Sequence, residues 1–444
     1  MMFMSASTTL TADYPVTDLA LLGNQYRHAF DGEIVVWDDG ADINWLSLSD
    51  PDKIQHAIAV SGVQDYAAAG GGRIVWRDKN TDNDIGIYDL ELGTNWILSS
   101  DDGAVQRYPK VSADYILCEN YSGEFYNAAI YDEATDAFVL IAPGSPLQTN
   151  LAIDGNHVVW RDDRDGKRQI YLCDLSVTPY VASAVYPDGG DQQWRPAISG
   201  DLIVWEDHTN ELDVNLVAWS ISAGAVVWEC DDPTVQANPS VSNGLIVWQD
   251  NRQDAPGNAD IRGYDYNTGA WLEIATGTEN DQAPIVSGRT VVWQQNAELV
   301  MTEIPTPTVL AVTQPAGGEQ LLADKGELLI AWAMIEGTLP EEVKLEFSAD
   351  AGDSWDVIEP NVPADAAYRW APVADVHSPQ CQIRVSIFGD ESVDAVSEPF
   401  TIFQCDTALT ADLTGDCVVG LDDFAAFAAQ WLTCGNPYDE NWCY

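Results

Sequence analysis

Twelve residues near the C-terminus carry the sharpest chemical pattern in the chain. Asp412, Thr414 and Asp416 offer side-chain oxygens, Val418 a backbone carbonyl, Gly420 a place for water, and Asp423 a closing carboxylate. Positions 1, 3, 5, 7, 9 and 12 of a compact turn can surround a hard cation that demands six to eight oxygens, and the expected ion is Ca2+. Two residues depart from the common form of such a loop: Cys417 holds the sixth position, where glycine is usual, and Asp423 replaces a bidentate glutamate. After the loop, Phe424, Phe427, Trp431 and Leu432 recur at helical spacing and form one apolar stripe. The stripe packs onto its own loop or meets a partner. From Asp406 onward there are seven Asp or Glu and no Lys or Arg, which suits a cation site.

A second set of chemical groups is a row of amides. Gln25, Gln64, Gln106, Gln148, Gln193 and Gln236 each stand twelve residues before a recurring Trp or Cys, and in the last copy Asp281 then Gln282 fill the place. Three residues after each amide comes Pro109, Pro196, Pro239 or Pro284, replaced by His28, Ala67 and Leu151 in the other copies. Catalytic spacing is harder to find. The five histidines, His28, His56, His157, His208 and His377, fit no nucleophile, zincin or triad arrangement. Carboxylate pairs occur everywhere in so acidic a chain, so they single out no glycosidase-like site.

The amides are positioned by a repeat. Its anchors are Trp37, Trp76, Cys118, Trp160, Trp205, Trp248 and Trp293, spaced 39 to 45 residues apart. That period, with strands such as Gly32 to Trp37 and Gly288 to Trp293, matches a four-stranded unit that must stack against neighbours to bury both faces. Seven units imply a ring. An acidic turn follows most anchors, at Asp39, Asp78, Asp162, Asp207 and Asp250, with Asn120 and Gln295 in the same place. Third strands follow, such as Asp84–Tyr88 and Asp213–Val217. The seventh unit ends at Leu299–Met301 without a last strand, so residues 14–22 are expected to supply it and close the ring.

Pro196-Ala-Ile-Ser-Gly-Asp-Leu-Ile-Val-Trp205 and Pro284-Ile-Val-Ser-Gly288 show the repeat best, and on these residues it resembles the TolB-like (WD40-like) propeller family. The resemblance covers about two thirds of the chain, and Cys118 and the three missing prolines depart from it. It implies a seven-bladed β-propeller over residues 13–305. It also places the Gln-x-x-Pro segments at the innermost strands, so that Gln25, Gln64, Gln106, Gln148, Gln193, Gln236 and Gln282, with His28, would ring one channel mouth. Converging amides there would bind a sugar or hold water. The competing expectation is bonding between blades, since a need that recurs in every blade is rarely a ligand's. Oligogalacturonate lyases are propellers that hold a metal with several histidines near this mouth, whereas here only His28 lies on an inner strand.

Ile304-Pro-Thr-Pro-Thr308 reads as a short stiff linker. Beyond it, strand-like runs at 309–312, 328–332, 343–347, 368–370, 382–386 and 400–403 suggest a β-sandwich over residues 308–403. The segments 314–319, 330–332 and 347–355 resemble an immunoglobulin or fibronectin-III-like module. Ser348, Asp350, Gly352 and Trp355 match the Asp-box spacing of sialidases and other secreted β proteins, and the expected role is a turn, not catalysis. The tail, 404–444, resembles half of a dockerin type I module over Asp412 to Leu432. Such modules end their loops in Asp and bind a cohesin-like receptor, although they carry two loops and this tail one.

Composition bounds the function. The chain has 444 residues, with 71 Asp or Glu against 19 Lys or Arg and a net charge of −52. That field repels phosphate backbones and anionic membranes, and no apolar stretch is long enough to span a bilayer. Cys405, Cys417, Cys434 and Cys443 crowd the last forty residues, which reads as disulfides and export, with three pairings open. Residues 1–12 lack a basic region and a full apolar core and read as a leader remnant. The sequence therefore points to an all-β chain: a seven-bladed propeller, a β-sandwich and a small helical EF-hand-like tail. The expected role is a secreted or cell-surface noncatalytic protein that binds a glycan or a surface protein. The alternative is a carbohydrate-active enzyme, a polysaccharide lyase or glycoside hydrolase, with its site at a channel mouth.

Overall fold

The computed structural model describes residues 9–10 and 14–430, apart from 59, 81–82, 99–102, 122, 134, 146, 165, 188, 191, 209–213, 231–233, 252–257, 307, 338–339, 366 and 406–409. The expectations for Asp213, Trp431, Leu432, Cys434 and Cys443, and for most of residues 1–12, lie outside the described residues. The chain divides into two units, Met1–Ile304 and Pro305–Tyr444.

Among the described residues the first unit has seven sheets in chain order, antiparallel apart from one added edge strand, each resembling a propeller blade. The second sheet is typical, running from Gln64–Gly70 through Arg73–Asp78 and Asp84–Asp89 to Thr94–Leu98. The anchor falls on the second strand, which is sandwiched by neighbouring sheets. Trp37, Trp76, Trp160, Trp205 and Trp293 are fully buried, and so is Cys118. The β-branched residues around them, such as Val35, Val36, Val158 and Val159, are equally inaccessible, so the Val-Val-Trp run fills the space between sheets. Gly86 opposes Trp76 across two strands, and a Cβ there would overlap the indole.

The innermost strand of each sheet touches that of the next, and the last of them, Asp281–Ser287, touches the first, His28–Phe30. Thr17–Asp18 pairs with Met301 and Val300 at the outer edge of the last sheet, within the segment expected to close it. Thr9–Leu10, inside the expected leader remnant, adds a parallel strand along Trp271 and Leu272 of the sixth sheet.

The second unit has a three-stranded sheet, Val309–Gln314, Leu328–Glu336 and Tyr368–Trp370, and a six-stranded one centred on Ser378–Ile387. Leu310, Ile330, Leu345, Val385 and Phe400, drawn from both sheets, share one core. The turn at Asp350 forms as its residue types require. Asp350 accepts from Ser348 Oγ at 2.7 Å, Ser354 N at 2.9 Å and Ser354 Oγ at 2.6 Å, while Gly352 takes φ 91° against Trp355. These bonds, from Ser354 first, hold the Asp350 carboxyl down at about 2.

Gly86→Val is expected to destabilise the first unit by roughly 1–3 kcal/mol through overpacking against Trp76. The urea midpoint of its unfolding reads this directly. An unchanged midpoint would mean that Trp76 has room to move.

Candidate functional site

The glutamines sit in the seams between sheets. Gln64, Gln106, Gln148, Gln193 and Gln236 are at most 1% exposed and Gln25 is 6% exposed. Gln148 Oε1 accepts Ala128 N of the preceding sheet at 2.7 Å, Gln193 Oε1 accepts Ile170 N at 2.9 Å, and Gln25 Oε1 accepts Leu299 N at 2.6 Å across the first-to-last seam. At Gln25, Gln148 and Gln193 the amide oxygen thus serves a backbone donor in the seam and is not presented to a channel mouth, the arrangement expected of bonding between blades.

Register also corrects the seventh position. Gln64, Gln106, Gln148, Gln193 and Gln236 lie opposite Asp78, Asn120, Asp162, Asp207 and Asp250. In the last sheet Asp281 lies opposite Gln295, so amide and carboxylate have exchanged strands, and Gln282 is one place out of line. The exchanged pair keeps its bond, Gln295 Nε2 to Asp281 Oδ1 at 2.9 Å. In the fourth sheet Asp162 Oδ2 takes Gln148 Nε2 at 3.0 Å and Trp160 Nε1 at 2.9 Å, and in the seventh Asp281 takes Trp293 Nε1 at 2.7 Å.

What the Gln-x-x-Pro segment encodes is a bulge. Six inner strands slip register two residues after the amide position, and the residue there takes positive φ: Tyr66, Tyr108, Asn150, Arg195, Asn238 and Ala283, at 46° to 58°. Proline belongs beside such a bulge because it has no N–H to contribute to a ladder. The bulge N–H is capped from the preceding sheet by the residue just after its anchor. Asp38 accepts from Tyr66 at 3.4 Å, Glu119 from Asn150 at 2.9 Å, Glu206 from Asn238 at 2.7 Å and Gln249 from Ala283 at 3.2 Å.

These bulges re-aim the inner strands into a cavity of about 940 Å3 lined by residues of all seven sheets. Five of its lining side chains are cationic, Arg27, Arg107, Lys110, Arg161 and Arg195, and one, Glu119, is a carboxylate. Sequence reasoning missed them. The available signal was scarcity: of only 19 basic residues, four lie within four positions of an amide, and Arg161 directly follows an anchor.

Charge and aromatic faces alternate around this mouth. Arg27 reaches Asp38 at 3.3 Å and lies 4.1 Å over Tyr66, while Arg107 reaches Glu119 at 3.0 Å and lies 3.5 Å over Tyr126. Arg161 lies 4.2 Å over Trp194, and Arg195 reaches Glu206 at 3.1 Å. Behind them Arg77 grips Asp65 with two bonds of 2.7 Å, and Lys79 joins at 2.7 Å. Burial acts to raise the Asp65 carboxyl, but Arg77 and Lys79 outweigh it and hold it low. Lys110 has no hydrogen-bond or ion-pair partner among the described residues, and desolvation lowers its pKa against the pull of Glu119. His28 also lines the cavity. Desolvation lowers it to about 4, so its ring is neutral at pH 7.

The tail brings three of its expected carboxylates together. Ligand atoms of Asp412, Asp416 and Asp423 lie within 4.8 Å of one another. Asp412 accepts Asp416 N at 3.1 Å and Cys417 N at 2.9 Å, and Asp423, 3% exposed, accepts Gly420 N at 2.7 Å and Thr414 N at 2.9 Å. The Gly420 and Thr414 bonds keep the Asp423 carboxyl down at about 2. Thr414 Oγ1 lies 3.0 Å from Asp423, and Val418 N bonds Asp416 at 2.9 Å. Cys417 takes φ 72°, the conformation glycine serves at this place, and is joined to Cys405. Three carboxylates beside the Thr414 hydroxyl are a donor set suited to a hard divalent cation. The following helix, Leu421–Gln430, leaves Phe424 and Phe427 exposed.

No family model matches the chain, and no curated protein matches it. Solved structures do. A puromycin hydrolase S511A mutant complexed with PGG is similar with TM-score 0.50 and 15% identity over 66% of this chain, which spans 55% of the hydrolase chain. The β-propeller domain of the Trilobed protease from Pyrococcus furiosus gives TM-score 0.47 and 12% identity, covering 63% of this chain and 92% of that one. TolB from Acinetobacter baumannii gives TM-score 0.39 and 14% identity over 63% and 79%. At such identities the likeness concerns the fold alone.

Calorimetric titration of the whole chain with Ca2+ is expected to show one site that disappears in Asp412→Ala. Equal saturable binding by that variant would remove the ion from the tail, since diffuse binding to surface carboxylates is common to both.

Proposed function

We propose that the chain is a secreted or cell-surface binding protein without catalytic activity of its own. On this reading the seven sheets form a closed seven-bladed propeller whose channel mouth binds the ligand. An immunoglobulin or fibronectin-III-like sandwich follows, and a dockerin-like tail, stabilised by Ca2+, attaches the chain to a cohesin-like receptor or another surface protein. The observation that carries the reading is the concentration of five cations and several aromatic faces in one cavity of a chain whose net charge is −52. Side chains this costly to gather against their own counterions support recognition more readily than packing. Fixed guanidinium forks and aromatic rings provide direction and shape.

One observation favours the enzymatic alternative. A lyase acting on an acidic polysaccharide needs a base to remove the proton beside a carboxylate while the neighbouring C–O bond breaks and a C=C bond forms. Lys110, lining the cavity beside Arg107 and Tyr108 without an ion-pair partner among the described residues, is an amine placed to take that proton, with the leaving oxygen protonated from solvent.

A glycan array probed with the whole chain tests the main reading. Retention of a defined set of glycans, with no change in their mass, is the expected result. Release of unsaturated fragments would establish the lyase, and a blank array would remove glycan recognition.

A further inference from the structure

We infer that the channel mouth takes a short carboxylate-bearing oligosaccharide, one built of uronic acid units, an inference that rests on the binding role proposed for this cavity. Charge comes first. Of the carboxylates nearest the mouth, Glu119, Glu206 and Asp38 are each engaged by a bulge N–H, and each also meets one arginine. A guanidinium has five donors in a planar fork, and one carboxylate contact leaves others free for a second anion in the channel. Lys110 adds an ammonium without an ion-pair partner among the described residues, inside the same cavity. Arg161 likewise meets one carboxylate, Asp163, at 3.1 Å, and with donors left over on each guanidinium and on Lys110 the mouth has cationic donors in excess of the carboxylates that face them.

The class of anion follows from what else the wall offers. Peptides are commonly held by adding a strand to an open sheet edge. Here the inner strands present proline at Pro109, Pro196, Pro239 and Pro284, and four of their bulge N–H groups are already capped, so a continuous edge of donors is missing at the mouth. What remains are side-chain donors, Asn150 among them, and aromatic rings, including Tyr26 at 55% exposure. Amides, hydroxyls and rings alternating with cations suit a ligand in which hydroxyls and carboxylates alternate on a stiff ring. A long polyanion such as nucleic acid meets the repulsive field of the rest of the chain, whereas a few sugar units fit within a cavity of about 940 Å3.

Calorimetry of the whole chain with a galacturonic acid trisaccharide and with its methyl ester decides the matter, because the ester keeps the shape and loses the charge. Binding of the free acid, with the ester at least tenfold weaker, is the expected result. Lys110→Met, which breaks no ion pair, should weaken the acid by roughly 10- to 100-fold, the worth of one charge-assisted hydrogen bond. Arg195→Gln provides an independent second position, two sheets further along the chain. Equal binding of acid and ester would overturn the charge inference and leave the binding role standing. Binding of neither, with hexaglutamate or a short oligonucleotide retained instead, would overturn the sugar class. No binding of any of these would overturn the inference and the role together. Unchanged affinity in both variants would move the site away from this mouth.

Discussion

A buried carboxamide that accepts a backbone N–H from the neighbouring sheet ties three seams of the first unit, the one between its first and last sheets among them. Stacked sheets offer each other apolar faces, and such faces slide; a directional bond does not. At Gln25, Gln148 and Gln193 the acceptor oxygen meets a donor on the third strand of the preceding sheet, and at Gln148 the amide nitrogen returns to Asp162 on its own sheet. Removing such an oxygen leaves a buried N–H unsatisfied, which costs about 1–3 kcal/mol. The tryptophans supply the larger share of burial energy, but burial alone leaves the angle between sheets undetermined. The amide fixes it. Where Asp281 and Gln295 exchange strands, the bond within the sheet survives, so the pairing of amide with carboxylate tolerates the exchange.

The channel follows from the same geometry. A strand pinned by its amide at one point and by its ladder further along accommodates an extra residue between them, and the extra residue takes positive φ. Only two of the six are asparagine, the type that tolerates this conformation best, so the others carry strain that the surrounding bonds must hold. The carboxylates that cap these bulges are the same ones that meet the arginines. The same side chain therefore serves bulge and cavity wall: Glu119 holds Asn150 in place and sets the position of Arg107.

The period of the anchors and the strands around them were legible because apolar burial writes itself as a pattern. The missing last strand of the seventh unit was legible by counting, and Thr17–Asp18 pairs there. The destination of the glutamines was not. An amide looks the same in sequence whether it faces a channel or a seam, and only the pairing register shows Asp opposite it. The cations were hidden for a related reason: Arg107, Lys110 and Arg161 come together only after the inner strands bulge and the sheets assemble. The recurring proline was the overlooked clue, since proline inside a strand demands an edge or a bulge. In the tail, local spacing was enough to bring Asp412, Asp416 and Asp423 together, because a twelve-residue loop needs no distant partner.

Hydrogen exchange of the Ala128, Ile170 and Leu299 amides, followed residue by residue, tests the seam bond most directly. The account requires all three to exchange only with global unfolding of the Met1–Ile304 unit, and Gln148→Leu to release Ala128 while Ile170 and Leu299 stay protected. Fast exchange at these amides in the unaltered chain, or protection of Ala128 that survives Gln148→Leu, would contradict it.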